Sequence, residues 1–437
     1  MEWYIVLIFI IGLVFMLMLA GVPIAFCFLI ICSVGMYTYF GGLKGIEQLS
    51  VSMFTTCNRF ILLPLPLFIF MGEVMFQSGI APILIKVIDK WLGRLPGRLG
   101  LLAVGAGTLF STLTGTSLAS VAMLGSALSP EMEKAGYKKP MSLGPILGSG
   151  GLAMMIPPSG LAVFLGAIAE VSIGRILIAI IIPGLLMAIA YAAYIIIRCW
   201  LDPSVAPSYE VEKVPLGEKI SDTIKYVLPQ GIVIFLVVGV IFLGVATPSE
   251  AGATGALGTV IVASFYGRMG WKVLKPALLG TVTVTGIIFF IIAGATAFSQ
   301  ILAYSGATQG LSGLVTAMPV APIVVIMMMM VVVLFLGAFM DVVAIMMVTL
   351  PIFMPVIYKL GFDPVWFCVL FLLNIEMAMT TPPFGMSLFV MKSVASRNVT
   401  MSDIYKAVIP FLVLDLLVMA LIIAWPQIAL WLPGFMG

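Results

Sequence analysis

The sequence contains no histidine and very little charge. Asp, Glu, Lys and Arg together make up 9% of the 437 residues, while hydrophobic residues reach 62%. An ordinary soluble domain carries about 25% charged residues, and the mean hydropathy here is +1.24. A soluble surface cannot be built from this material, so the chain reads as an integral membrane protein. The absence of histidine excludes a His-ligated metal centre and a Ser-His-Asp relay. No GxxxxGK[ST] loop is present to couple ATP hydrolysis, which leaves ion gradients as the expected energy source. Cys27, Cys32, Cys57, Cys199 and Cys368 stand singly in apolar segments without a CxxC pair and read as small core hydrophobes. No organic cofactor and no nucleic-acid partner are expected.

A bilayer-crossing helix needs about 20 mostly apolar residues. Candidates lie near 3–20, 24–40, 60–79, 176–200, 226–245, 250–266, 276–304 and 408–432. Two segments, 99–128 and 320–354, are too long and too interrupted for one crossing and read as re-entrant hairpins. Two others, 141–170 and 365–390, carry a double proline in mid-membrane and read as broken helices. Segment 80–95 sets Ile80, Leu84, Val87, Ile88, Trp91 and Leu95 on one helical face, with Lys86, Asp89, Lys90 and Arg94 opposite, and reads as an interfacial amphipathic helix. The N-terminus lacks a basic n-region and a cleavage site, so its first apolar stretch is kept as a helix. Loops at 80–98, 130–140, 198–225, 267–275 and 391–406 hold 17 of the 21 Lys and Arg residues. That side is expected to be cytoplasmic, with both termini periplasmic in a bacterial inner membrane.

One offset, 225 residues, aligns the chain with itself without gaps. Pro130 meets Pro355, Lys134 meets Lys359, Gly136 meets Gly361, Ala153 and Met154 meet Ala378 and Met379, and Pro157-Pro158 meets Pro382-Pro383. Gly160 meets Gly385, and Phe164 meets Phe389. The expected fold is an all-α polytopic membrane protein of two repeats, 1–200 and 226–437, joined by a cytoplasmic linker at 201–225. Each repeat holds five crossings plus one hairpin. Five is odd, so the second repeat is expected to be inverted, the architecture of secondary transporters with midplane ion and substrate sites.

The chemistry is expected where hairpin tips meet helix breaks. A double proline removes two N–H donors and frees carbonyls that lipid cannot satisfy, and a desolvated cation is a suitable partner for them. The first expected sodium site comprises Gly115, Thr116 and Ser117 at the tip, with Met155 and Pro157 at the break. The second comprises Gly337, Asp341, Thr380, Thr381 and Pro382, with Asp341 at the position of Thr116. A mid-membrane carboxylate is expensive and usually functional. Ser117, Ser120, Ser159, Gly160, Val342 and Gly385 line the expected substrate region. Glu73 and Glu376 could bind an ion or lock one helix to another, and Asp415 reads as structural. Single hydroxyls can equally bond their own helix carbonyls. No Lys or Arg lies at the presumed midplane, so an anionic substrate would be held by bound cations, hydroxyls and helix N-termini.

At these motifs, PLPLFIFMGEVM from Pro64, TGTSLASVAMLGS, GGLAMMIPPSG, the Asp341 hairpin and TTPPFG, the chain resembles the large, DctM-like membrane subunit of tripartite ATP-independent periplasmic (TRAP) transporters, essentially end to end. It is more distantly similar to divalent anion:sodium symporters. The resemblance implies a sodium-coupled importer of an organic acid, such as sialic acid or a C4-dicarboxylate. The acid would be delivered by a periplasmic substrate-binding protein (P-type), with a separate small four-helix membrane subunit (Q-type) alongside. It also implies an elevator, in which a hairpin-bearing domain slides against a scaffold. Three other readings are a stand-alone sodium/dicarboxylate symporter, a channel, whose pore hairpins can also line, and a membrane enzyme, which would need a nucleophile with a base or a metal cluster.

Overall fold

The computed structural model describes residues 2–93, 95–114, 117–207, 214–337 and 339–436, and every regular element among them is helical. Helices α1 (Trp3–Leu19), α2 (Ile24–Tyr39), α3 (Leu43–Cys57) and α4 (Pro64–Gln77) lead to the short α5 (Ala81–Leu92). Then come α6 (Arg98–Thr114), α7 (Ser117–Lys134), α8 (Lys139–Met155), α9 (Gly160–Ala169), α10 (Ile173–Ala179) and α11 (Ile181–Leu201). The second half opens with α12 (Leu216–Asp222), α13 (Leu228–Ile234) and α14 (Val240–Phe242), which two π turns join into one run over Leu216–Phe242. It continues with α15 (Pro248–Phe265), α16 (Trp271–Tyr304), α17 (Ala307–Ala317), α18 (Pro322–Leu336) and α19 (Val342–Leu360). The last elements are α20 (Pro364–Thr380), α21 (Met386–Val394), α22 (Met401–Ala424) and the one-turn α23 (Gln427–Leu430).

Element starts recur at the interval seen in the sequence. α2 and α15, α5 and α17, α6 and α18, α7 and α19, α8 and α20, and α9 and α21 each begin within one residue of 225 apart. The matched glycines have a physical reason: Gly136 and Gly361 both take left-handed backbone, at φ +77° and +75°, after the helices that begin at the hairpin tips. Both double prolines contain a cis bond. The main departure from the interval is informative. In the first half, Pro64 and Pro66 separate α3 from α4; Phe289 and Ile291 stand 225 residues on, and the corresponding α16 runs unbroken for 34 residues.

Several boundaries differ from the sequence reading. α3 and α17 appear where no element is expected; α17 was legible, because it is the 225-residue counterpart of the amphipathic segment. The segment expected to be linker turns helical at Leu216, ten residues before the first span of the second half. Lys90 explains why: its ammonium bonds Glu218 at 2.6 Å and Asp222 at 2.5 Å, and the Trp91 indole donates to the Thr223 hydroxyl at 2.8 Å. Thus Trp91, half exposed, leans on α12 rather than joining the buried face of α5 formed by Ile80, Leu84 and Val87. Of the ten crossings expected, six helices among the described residues are long and apolar enough to span a bilayer, or seven if α8 and α9, bent by 46°, count as one. α1 and α2, of 17 and 16 residues, are shorter than that measure.

The helices sort into two groups by what they touch. α1–α4 pack with α15 and α16, and α5 packs with α12. In the other group α8 is surrounded by α6, α7, α11, α20 and α22, and α20 by α18, α19 and α22. Burial follows. In α1 the buried residues are Val6, Ile10 and Val14, one stripe on a helix otherwise free to face lipid. By contrast, every residue from Met141 to Met155 and from Val365 to Thr380 is buried. The two helices that break are those removed from lipid, where the protein itself can receive the freed backbone groups.

Close approach of α22 to α8 depends on Gly144 and Gly148. A Cβ at Gly144 would lie 2.5 Å from the Ala407 carbonyl and 2.6 Å from the Phe411 ring. Gly144→Ala is therefore expected to destabilise the fold by about 1–3 kcal/mol. Gly231→Ala, with open space around it on α13, should be neutral or slightly stabilising. Thermal unfolding of the two purified variants checks the contrast.

Candidate functional site at two hairpin tips and two helix breaks

Pro157 and Pro158 leave the carbonyls of Ala153 and Met154 without the N–H donors that a continuing helix would supply, and Pro382 and Pro383 do the same for Ala378 and Met379. Part of this loss is repaired locally, since Thr381 donates its N–H to the Ala378 carbonyl at 3.4 Å. The missing side chain of Gly385 lets the Met379 carbonyl sit where its Cβ would project, and Gly184 on α11 makes room for the Met155 carbonyl in the same way.

The second tip is described in full apart from residue 338. Gly337 ends α18 and packs its backbone directly on Ala378, so close that a Cβ there would overlap the alanine methyl. The tip therefore lies about one turn before the break on α20. Half-buried Asp341 opens α19, and its Oδ1 accepts from the Val343 N–H at 2.9 Å and the Ala344 N–H at 3.1 Å. Asp341 is thus a helix N-cap, a role sequence reasoning did not assign. Thr380 and Thr381 donate their hydroxyl protons back to α20, Thr381 to the Met377 carbonyl at 2.6 Å and Thr380 to the Glu376 and Met377 carbonyls at 3.2 and 3.1 Å. A hydroxyl whose proton is committed in this way presents lone pairs to its other side, as a cation ligand must. Around this break Pro383 and Phe384 are exposed, whereas Pro157, Pro158 and Ser159 are buried.

In the first site, Gly115 and Thr116 lie outside the described residues. Ser117 is 2% exposed and its hydroxyl has no hydrogen-bond partner; it faces the carboxyl of Glu376, reaching across from the second half. Sequence reasoning kept these two residues apart, although Gly151, the 225-residue counterpart of Glu376, leaves the space that the carboxyl fills. Ser120, Met155 and Val342 are buried. Ser159 N-caps α9 by accepting from the Ala162 N–H at 3.3 Å, and Gly160 is the first residue of that helix. A cleft of about 390 Å³ lies between α16, α19, the end of α9 and the turn after α3, lined by Thr56, Thr296, Ser299 and Tyr358 among others. Its Arg59 is paired with Glu170 at 2.7 Å, so it offers no free cationic clamp.

This arrangement, helices too apolar for water with oxygen ligands gathered at paired breaks inside the bundle, is that of a multi-pass membrane carrier. The family model described as the DctM component of the tripartite ATP-independent periplasmic transporter matches residues 11–428, and the chain belongs to that family. It is 30% identical to the C4-dicarboxylate TRAP transporter large permease protein DctM of Pseudomonas aeruginosa, over 90% of both chains. It is 29% identical to the ectoine TRAP transporter large permease protein TeaC of Halomonas elongata, over 95% of this chain and 96% of that one. With the sialic acid TRAP transporter large permease protein SiaM of Vibrio cholerae it shares 28% over 96% and 97% of the two. In fold it is similar to the YdaH transporter of Alcanivorax borkumensis, with a TM-score of 0.62, 16% identity and coverage of 88% and 90%. It is also similar to MtrF of Neisseria gonorrhoeae, with a TM-score of 0.63, 14% identity and coverage of 87% and 84%. The chain is a TRAP-type transport permease of the membrane, not an enzyme.

Capping and substrate roles separate at Ser159. Ser159→Ala should lower stability by about 1 kcal/mol, and Ser159→Gly by only a few tenths. If Ser159 is a cap alone, substrate affinity measured on equal amounts of folded protein stays at the wild-type value in both.

Proposed function

We propose that the chain is the sodium-coupled membrane subunit of a tripartite importer for an organic acid. The acid is handed over by a periplasmic binding protein, and a separate small four-helix subunit extends the scaffold in the bacterial inner membrane. The observation that carries the reading is the second tip, where Gly337 brings Asp341 and the lone pairs of Thr380 and Thr381 to a helix break. A carboxylate, hydroxyl oxygens and unpaired carbonyls together form a hard ligand set that suits an alkali cation. Bound sodium then supplies the positive charge that a substrate carboxylate lacks elsewhere in the bundle, so substrate binding depends on ion binding.

In this reading the chain consists of two inverted repeats, with hairpins α6–α7 and α18–α19 entering from opposite sides and both termini periplasmic. The recurrence of element starts at 225 residues supports the repeat, and the Lys and Arg distribution supports the orientation. The bundle around α8 and α20 is the moving body of an elevator, and α1–α5 with α12–α17 form its scaffold. Relatives named for C4-dicarboxylate, ectoine and sialic acid mark the range of cargo, and an organic acid is the class expected here.

Uptake into proteoliposomes holding this chain and its small subunit, with the binding protein outside, tests the proposal. An inward sodium gradient should drive accumulation, and omission of the binding protein should abolish it; undiminished uptake without it would favour a stand-alone symporter. Asp341→Asn keeps the helix cap but removes the charge, so it should lose sodium-driven uptake almost as fully as Asp341→Ala. Wild-type sodium dependence in Asp341→Asn would reduce Asp341 to a cap.

A further inference from the structure

Where α8 crosses α20 and α11 crosses α22, two acids meet in the centre of the bundle. Glu376 is 2% exposed and Asp415 is 3% exposed. Asp415 is the charged group that acts on Glu376, and both act on the phenol of Tyr191, which is itself fully buried. The Tyr191 hydroxyl donates to Oδ1 of Asp415. Glu376 Oε2 has no hydrogen-bond partner, nor does the Ser117 hydroxyl that it faces. The acid is wedged against Gly151, where even a methyl group would overlap its carboxyl.

No basic group answers these acids. The other charged side chains on the surrounding helices sit near helix ends and are mostly engaged there. Lys139 bonds Asp403 at 2.7 Å, Arg175 lies 3.9 Å from Asp363, and Lys392 donates to the Val399 carbonyl. Glu131, Glu133 and Lys134 lie in the last turn of α7, at least fourteen residues from Ser117, and Lys359 is in the last turn of α19. Two ionised carboxylates without a counter-charge cannot share an apolar interior. An alkali ion would need a shell of five or six oxygens, and the packing against Gly151 leaves no room for one.

We infer that Glu376 and Asp415 share a single proton, making this crossing a proton-binding site separate from the two hairpin cation sites. Taking up the proton from water turns the unpaired Oε2 into a donor directed towards Ser117 or Asp415, and releasing it leaves two like charges that must separate. Because Ser117 stands at the first hairpin tip, the occupancy of this site bears on the first cation site and couples proton activity to ion binding. The proton site rests on the carrier reading only for that last consequence.

Infrared spectroscopy of the purified full-length protein in lipid nanodiscs tests it without requiring transport, so the proton site and the carrier reading can fail separately. At neutral pH the wild type should show the carbonyl stretch of a protonated carboxylic acid, shifted in deuterium oxide and lost on alkalinisation. Glu376→Gln should abolish that band, and Asp415→Asn should move it. Absence of any such band in the wild type, or a band unchanged in both variants, overturns the assignment. Should Glu376→Gln fail to fold, Asp415→Asn and Ser117→Ala carry the same test: a displaced band supports the shared proton, and an unmoved band in both refutes it.

Discussion

A peptide carbonyl in hydrocarbon has no water to turn to, so a helix can break inside a membrane only where the protein receives what the break sets free. Much of the architecture follows from that constraint. α8 and α20 carry the double prolines and are the helices most completely enclosed by others, while helices such as α1 touch the protein along a single stripe. Glycines perform much of the enclosure. Gly144 and Gly148 admit α22, Gly151 admits Glu376, Gly337 seats the second tip on Ala378, and Gly184 and Gly385 accept backbone carbonyls at the breaks.

The two halves are built to one plan but are not chemically equal. At the second tip the acid is local: Asp341 caps α19 and stands beside Thr380 and Thr381 in sequence register. At the first, the corresponding residue is Thr116 and the nearby acid, Glu376, comes from the opposite half. The first break is buried, and the second is partly open at Pro383 and Phe384. Such asymmetry suits a carrier whose two ion sites fill in different circumstances.

Much of this was legible in the sequence because it rests on local rules. The 225-residue interval, the breaks at the double prolines, the amphipathic α5 and the match of Gly136 with Gly361 all follow from residues acting on their own backbone. What escaped depends on contacts distant in sequence. The pairing of Ser117 with Glu376 spans both halves and left its only trace in the Gly151 counterpart. Asp415 reads as an isolated acid until Tyr191 is brought to it. The cap at Asp341 was within reach, since an Asp before an apolar helical run is an N-terminal signal, but attention to its cost in lipid obscured the simpler role. The early start of α12 was hidden by the charges of 216–225, which are matched by Lys90 on a helix more than a hundred residues away.

The central claim is that the hairpin tips and helix breaks hold the coupling ions. Equilibrium binding of radioactive sodium to the purified subunit addresses it most directly. The account predicts two saturable sodium sites per chain, with one lost in Asp341→Asn while the protein remains folded. No saturable sodium binding, or unaltered binding in that variant, would contradict it.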